Sequence, residues 1–251
     1  VALVFSFLIC SSVVLSIEVS FELKSVTEES ILVVPIQRIV KDVSLLSLGC
    51  NQNLEIAREV GFAAGMVARS YGFEYVVFGT LDTLDEFDSN PLDRISRSAF
   101  ITAQVLTYLG EGLFNSGVTP ILNGLDKIDP NVVRALINRK VIYPVFVENE
   151  AKIDRLRQLG YDAVCVFMDG TASGKLPKNK VDLSVDLSIV ENVRRQVLEG
   201  AIVVLNRSEK IINVNEPFAK TGVLIFSNEE WLLTLAKQVL DGDRPSTGRT
   251  P

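Results

Sequence analysis

The stretch NLEIAREVGFAAGMVARSYGFEYVVFGTLD, residues 53–82, sets the reading of this chain because it passes from a helical period to a buried-strand run with only a short turn between. Asn53 is placed to cap a helix on which Leu54, Ala57, Val60, Ala64, Val67 and Tyr71 share one face, while Gly61 and Gly65 let another backbone come close. Tyr75 to Thr80 is short, unbroken and apolar, the pattern of a parallel strand covered on both sides.

The same alternation extends outward. Strand-like runs stand at Ile31–Ile36, Val118–Asn123, Val141–Val147, Asp162–Met168, Ala201–Leu205 and Gly222–Phe226. Helical periods fill the gaps: Phe100–Asn115, closed by Gly117, then Pro130–Asn138, Glu150–Leu159, Ser188–Leu198 and Glu229–Leu240. Ile17, Val19, Phe21 and Leu23 alternate with polar residues as a half-buried strand does. Counting that segment, or Val1–Ile9 in its place, there are eight strands, the number a closed (β/α)8 barrel requires. An open doubly wound sheet gives similar local signals. The expectation is α/β, a (β/α)8 barrel, complete or partial, forming a single domain over residues 17–240. Residues 169–186 read as a long loop after a strand, and residues 241–251 as a disordered tail.

At 251 residues, with 47% hydrophobic and 22% charged residues, the chain has the composition of one large globular domain. A net charge of -6 and scattered Lys and Arg exclude a basic footprint for nucleic acid. Histidine is absent, and with it all histidine chemistry. Cys10, Cys50 and Cys165 show no CxxC spacing, so no metal or redox motif and no cofactor is expected; Cys165, inside an apolar run, reads as a buried thiol. Residues 1–16, VALVFSFLICSSVVLS, resemble a signal peptide and imply export, although no Lys or Arg precedes the apolar run; the alternative is that residues 2–9 are the first buried strand. Val1–Ile9 is too short to span a bilayer, so no stable membrane span is expected, and the oligomeric state is left open.

The order of pieces from Leu48 to Gly170 resembles the catalytic barrel of glycoside hydrolase family 3, the family of β-glucosidases and β-N-acetylhexosaminidases. There, a helix of the type ELAREVGRAIGRELRALG precedes a strand FAPVLDV, a loop with NP and RSF, and a helix ending AGV. Here the helix is Asn53–Tyr71, the strand and its acid are Phe78–Asp82, the loop carries Asn90, Pro91, Arg97 and Ser98, and the next helix ends Ser116, Gly117, Val118. VIYPVFV and LRQLGYDAVCVFMDG are similar to the family's MTAHVVYPA and LLRGELGFDGVVVSDD.

The resemblance implies that Asp82 contacts sugar hydroxyls at the C-terminal mouth of the barrel; otherwise it is a loop carboxylate capping backbone N–H groups. Arg97, or Arg94 if the loop is gapped differently, would make a polar substrate contact or else a buried ion pair with Asp82, Asp85 or Asp88. Asn90, beside Pro91, stands either in the substrate loop or in plain turn chemistry.

The departures fall on the catalytic pieces. Ile121, Leu122, Asn123 and Gly124 stand where the family has its Lys-His pair, and Leu125, Asp126 and Lys127 replace the PGHG turn. The DQEGG segment is replaced by Gln37, Arg38, Ile39 and Val40. Asp169, the candidate nucleophile, is shifted by one from the family's aspartate, whose place Met168 takes, and such a shift turns a strand side chain to the other face. The His/Asp acid–base dyad cannot form; Glu148 would be the substitute carboxylate. The first reading is a catalytically degenerate family 3-like barrel, a pseudoenzyme that retains at most carbohydrate binding. The alternatives are a divergent active hydrolase using Asp169, and a non-catalytic scaffold.

Overall fold

The computed structural model describes residues 25–26, 29–33, 36–85, 88, 90–179, 183–205, 211–213, 222–241 and 243–248. The signal-peptide or first-strand segment and the strand expected at Ile17–Leu23 lie outside them. In chain order the elements are β1 (Ser25–Val26), β2 (Glu29–Val33), α1 (Ile36–Ile39), α2 (Leu45–Cys50), α3 (Leu54–Ser70), β3 (Tyr75–Thr80), α4 (Ala99–Asn115), β4 (Thr119–Asn123) and α5 (Pro130–Asn138). There follow β5 (Val145–Val147), α6 (Glu150–Gln158), β6 (Cys165–Phe167), α7 (Ile189–Gly200), β7 (Val203–Leu205), β8 (Ile211–Asn213), β9 (Gly222–Ile225) and α8 (Glu230–Asp241).

The fold is α/β. Strands β2 to β6 are parallel and lie side by side in sequence order, with β1 antiparallel on the β2 edge. A doubly wound sheet reverses its strand order at a switch point, and this sheet does not. The two faces are also covered unequally. Leu32, Val76, Phe78, Leu122, Val145, Val147 and Cys165 pack into one core with buried residues of α3 to α7. The alternate positions Ile31, Tyr75, Val77, Ile121, Phe146 and Val166 form a separate cluster to which, among the described residues, no helix contributes. Helices on one face and consecutive parallel strands are the arrangement of part of a barrel.

The expected ring of eight is not what the described strands form. β7, β8 and β9 make a second sheet, ordered β7-β9-β8, in which β7 runs antiparallel to β9. The physical reason lies just after β6. Gly170, at φ 87°, turns the chain back, Phe167 N donates to Thr171 O at 2.8 Å, Ser173 N donates to Cys165 O at 2.8 Å, and Ser173 Oγ accepts from Cys165 N at 2.9 Å. These bonds use the edge of β6 that a following parallel strand would need. The returning strap crosses the helix-free face: Leu176 is buried there, Pro177 O accepts from Thr119 Oγ1 at 3.0 Å, and Lys178 pairs with Glu74 at 3.7 Å.

α3 and α4 meet at very short range. A Cβ on Gly61 would lie 2.0 Å from the Leu109 carbonyl oxygen, and one on Gly112 would lie 2.0 Å from that of Arg58. A further core joins α2, α7, β7, β9 and α8 through Leu46, Cys50, Leu198, Val203, Val223 and Leu232. Residues 243–248, read from sequence as part of a disordered tail, are held against this core: Gly248 N and Ser246 Oγ donate to Ile202 O at 2.7 and 2.8 Å. Cys50 and Cys165 are both buried thiols. Among the described residues no helix is long and apolar enough to cross a membrane.

Candidate functional site

Parallel strands gather their C-terminal ends at one rim, where the loops are free to carry polar side chains. Here the richest cluster lies past β3 and β4. Leu81 N donates to Asn123 O at 3.2 Å and Asp129 N donates to Leu81 O at 2.9 Å, so the loop leaving β3 is pinned to its neighbour before Asp82 is reached. Asp82 is 8% exposed, and its Oδ1 accepts from Thr83 N at 2.9 Å. Its Oδ2 faces Arg94 Nε at 3.8 Å.

Arg94 is the centre of the cluster. Its side chain is 11% exposed, with Nη1 at 3.2 Å from Asp126 Oδ2 and Nε at 3.3 Å from Asp88 Oδ2. That Nε is too far off line to hydrogen-bond Asp88, so the contact is one of charge. Burial raises the Asp82 carboxyl above its ordinary range; the Thr83 N–H, Arg94 and Lys127 pull it back, and Asp88 adds to the rise.

The sequence candidates separate in space. Asp82 occupies the rim, where it takes a backbone N–H, as the alternative to a sugar contact has it, and also faces an arginine. That arginine is Arg94 rather than Arg97, which is exposed on the loop. The 3-10 turn Pro91–Asp93 carries Arg94 inward, whereas Arg97 precedes the N-cap Ser98 of α4 on the outer side. Asn90 is exposed and donates to Asp93, which is turn chemistry. Asp169 is exposed, and its Oδ1 accepts from Thr171 N at 2.8 Å and from Thr171 Oγ1 at 2.7 Å.

Asp82 and Asp169 each lie two residues beyond their strand ends, at the same rim, but β3 and β6 are three positions apart in the sheet. That is roughly 14 Å along the sheet, against the ~5 Å of a retaining carboxylate pair. Glu148 is exposed just past β5. Among the described residues no three His, Cys, Asp or Glu side chains are grouped to hold a metal ion.

A cavity of about 140 Å³ opens beside Arg94, lined by the polar Thr80, Asp93, Asn123 and Asp126 and by apolar residues such as Val33, Ile36 and Val77. Thr80 and Asp126 carried no motif of their own; the one sequence signal for Asp126 is its place in the altered turn after β4. A larger, open depression of about 530 Å³ lies at the far end of α4, between Phe114 and Tyr143. Its charged groups are already matched, Arg58 with Glu111 at 2.9 Å, and it lies toward the N-terminal ends of the strands, away from the rim that carries Asp82.

No protein-family model and no curated protein matches the chain. Among solved structures it is similar to DesR, a β-glucosidase from Streptomyces venezuelae in complex with D-glucose, at TM-score 0.51 and 9% identity, covering 66% of this chain and 34% of that one. It is similar to β-glucosidase 3B from Thermotoga neapolitana in complex with glycerol at TM-score 0.50 and 12% identity, covering 68% and 38%. A glycosyl hydrolase of the GH3 family from Mycobacterium smegmatis aligns at TM-score 0.41 and 14% identity, covering 49% and 52%. The chain thus spans about a third to a half of those proteins' length. The likeness is one of fold, and it meets the resemblance to glycoside hydrolase family 3 that the residues themselves carry.

Proposed function

We propose that this chain is a carbohydrate-binding protein built on part of a family 3 glycosidase barrel, and that it has lost glycoside hydrolysis. The reading rests on Asp82, buried at the rim beside Arg94, in the place where the resemblance puts a sugar-holding aspartate. Loss of catalysis is supported by the lack of histidine, by Leu122 and Asn123 in place of Lys-His, and by an Asp169 carboxylate engaged with Thr171. In this reading β2 to β6 correspond to consecutive strands of the family's closed barrel. A scaffold role is the second reading, favoured by one observation: Leu176 fills the face of the sheet that a barrel turns inward.

The test is twofold. Purified protein is expected to release no nitrophenol from nitrophenyl β-glucoside or β-N-acetylglucosaminide, and to bind a β-linked sugar in calorimetry with an affinity that Asp82→Ala lowers about tenfold, the worth of one charge-assisted hydrogen bond. Turnover abolished by Asp169→Asn would instead establish an active hydrolase. A full screen of sugars without heat would establish the scaffold.

A further inference from the structure

The cavity beside Arg94 has a polar wall biased toward groups that accept hydrogen bonds. Thr80 is 2% exposed and its hydroxyl has no hydrogen-bond partner among the described residues. Gln37 donates its amide to Asp93 Oδ1 at 3.1 Å from behind that wall, and its own buried carbonyl oxygen has no donor among the described residues. Asp93 and Asp126 line the cavity, and Asp82 and Asp88 stand beside it on Arg94, so that among the described residues four carboxylates face Arg94 and Lys127. Buried oxygens of this kind are costly unless a donor reaches them. Carboxylates in such excess favour a guest that brings positive charge.

We infer that the cavity takes an amino sugar, a polyhydroxylated ring carrying a protonated primary amine. Asp93 and Asp126 face the ammonium, and Thr80 Oγ1 accepts from a ring hydroxyl. A neutral sugar gains the second of these contacts and not the first, and an acidic sugar brings a carboxylate among carboxylates. The inference rests on the carbohydrate-binding reading and narrows it to one class.

The experiment is calorimetry on the full chain with glucosamine, glucose and glucuronate, in a slightly acidic buffer that keeps the amine protonated. Glucosamine is expected to bind about tenfold tighter than glucose, as an added charge-assisted hydrogen bond does, and glucuronate more weakly than either. Thr80→Val removes a hydroxyl that the fold leaves unpaired, so the thermal midpoint should hold or rise while glucosamine affinity falls about fivefold. Glucose binding as tightly as glucosamine overturns the amino-sugar inference and leaves the carbohydrate reading standing. No heat with any of the three overturns the amino-sugar inference, and the carbohydrate reading then falls only if the full screen of β-linked sugars is silent as well. A Thr80→Val protein that binds glucosamine like the unaltered chain shows that the cavity is not where the sugar sits.

Discussion

Arg194 is the most heavily committed side chain among the described residues. It is 4% exposed on α7 and pairs with Asp42 at 2.6 Å, Glu191 at 3.0 Å and Glu229, while its Nε donates to Lys41 O at 3.1 Å. Trp231 Nε1 donates to Glu229 as well, at 2.5 Å. The guanidinium thereby ties the loop before α2 to the turn that opens α8. Removing one member of a fully buried pair costs about 3–5 kcal/mol. Asp42 and Glu229 stay about a third exposed, so Arg194→Met should cost about 2 kcal/mol in urea unfolding.

The hydrogen bonds from Arg194 and then Trp231 hold the Glu229 carboxyl below its ordinary 4.5. A depressed carboxylate contributes stability above its unfolded value and loses it as pH falls through the folded one. The urea midpoint should therefore drop on acidification below about pH 4.5, and Arg194→Met should flatten that drop. Asp82 works in the opposite sense, since a raised carboxyl costs stability at neutral pH and regains it on protonation. At this scale the rim was partly legible. Asp82 follows closely on a strand run and was placed at the rim through the family resemblance, whereas the choice of Arg94 over Arg97 depends on a 3-10 turn whose sense no local pattern encodes.

The helices that could be read from sequence are the longer amphipathic ones, some of them marked by a capping residue. Asn53 Oδ1 accepts from Glu55 N at 3.1 Å at the start of α3, and Asp129 with Pro130 opens α5. α1 and α2 were hidden. Ile36 starts α1 although it continues an apolar strand run, and α2 begins with a capping box in which Ser47 takes the place of the usual Glu or Gln. That another backbone comes close to α3 was legible from Gly61, though not that its partner is α4. Gly61→Ala sets a Cβ 2.0 Å from the Leu109 carbonyl oxygen, so the two helices must separate, at about 1–3 kcal/mol and with a lower thermal midpoint. In Gly174→Ala the added Cβ meets Val164 at 3.7 Å, an ordinary contact, and the midpoint should move by no more than about 0.5 kcal/mol equivalent.

For the whole molecule, α/β class and strand sequence were legible, and closure was not. A run such as Ile202–Leu205 has the same local signature whether it completes a ring or joins a separate sheet, because partners are chosen over distances that periodicity does not sample. The strap was likewise hidden: residues 171–179 are polar and turn-rich apart from Leu176, whose burial depends on the groove that β2 to β6 create. Leu176→Ala should cost about 2–3 kcal/mol and make the segment around Pro177 an early site of protease cleavage.

The backward fold of the chain onto β6 has a consequence for how these molecules meet one another. A strand left bare at the margin of a sheet is a template on which a neighbour's backbone can dock and propagate into fibres. Thr171 and Ser173 occupy that template with the molecule's own amides and carbonyls. Loosening this seam would expose a ladder for self-association, so the strap guards solubility as well as filling a groove.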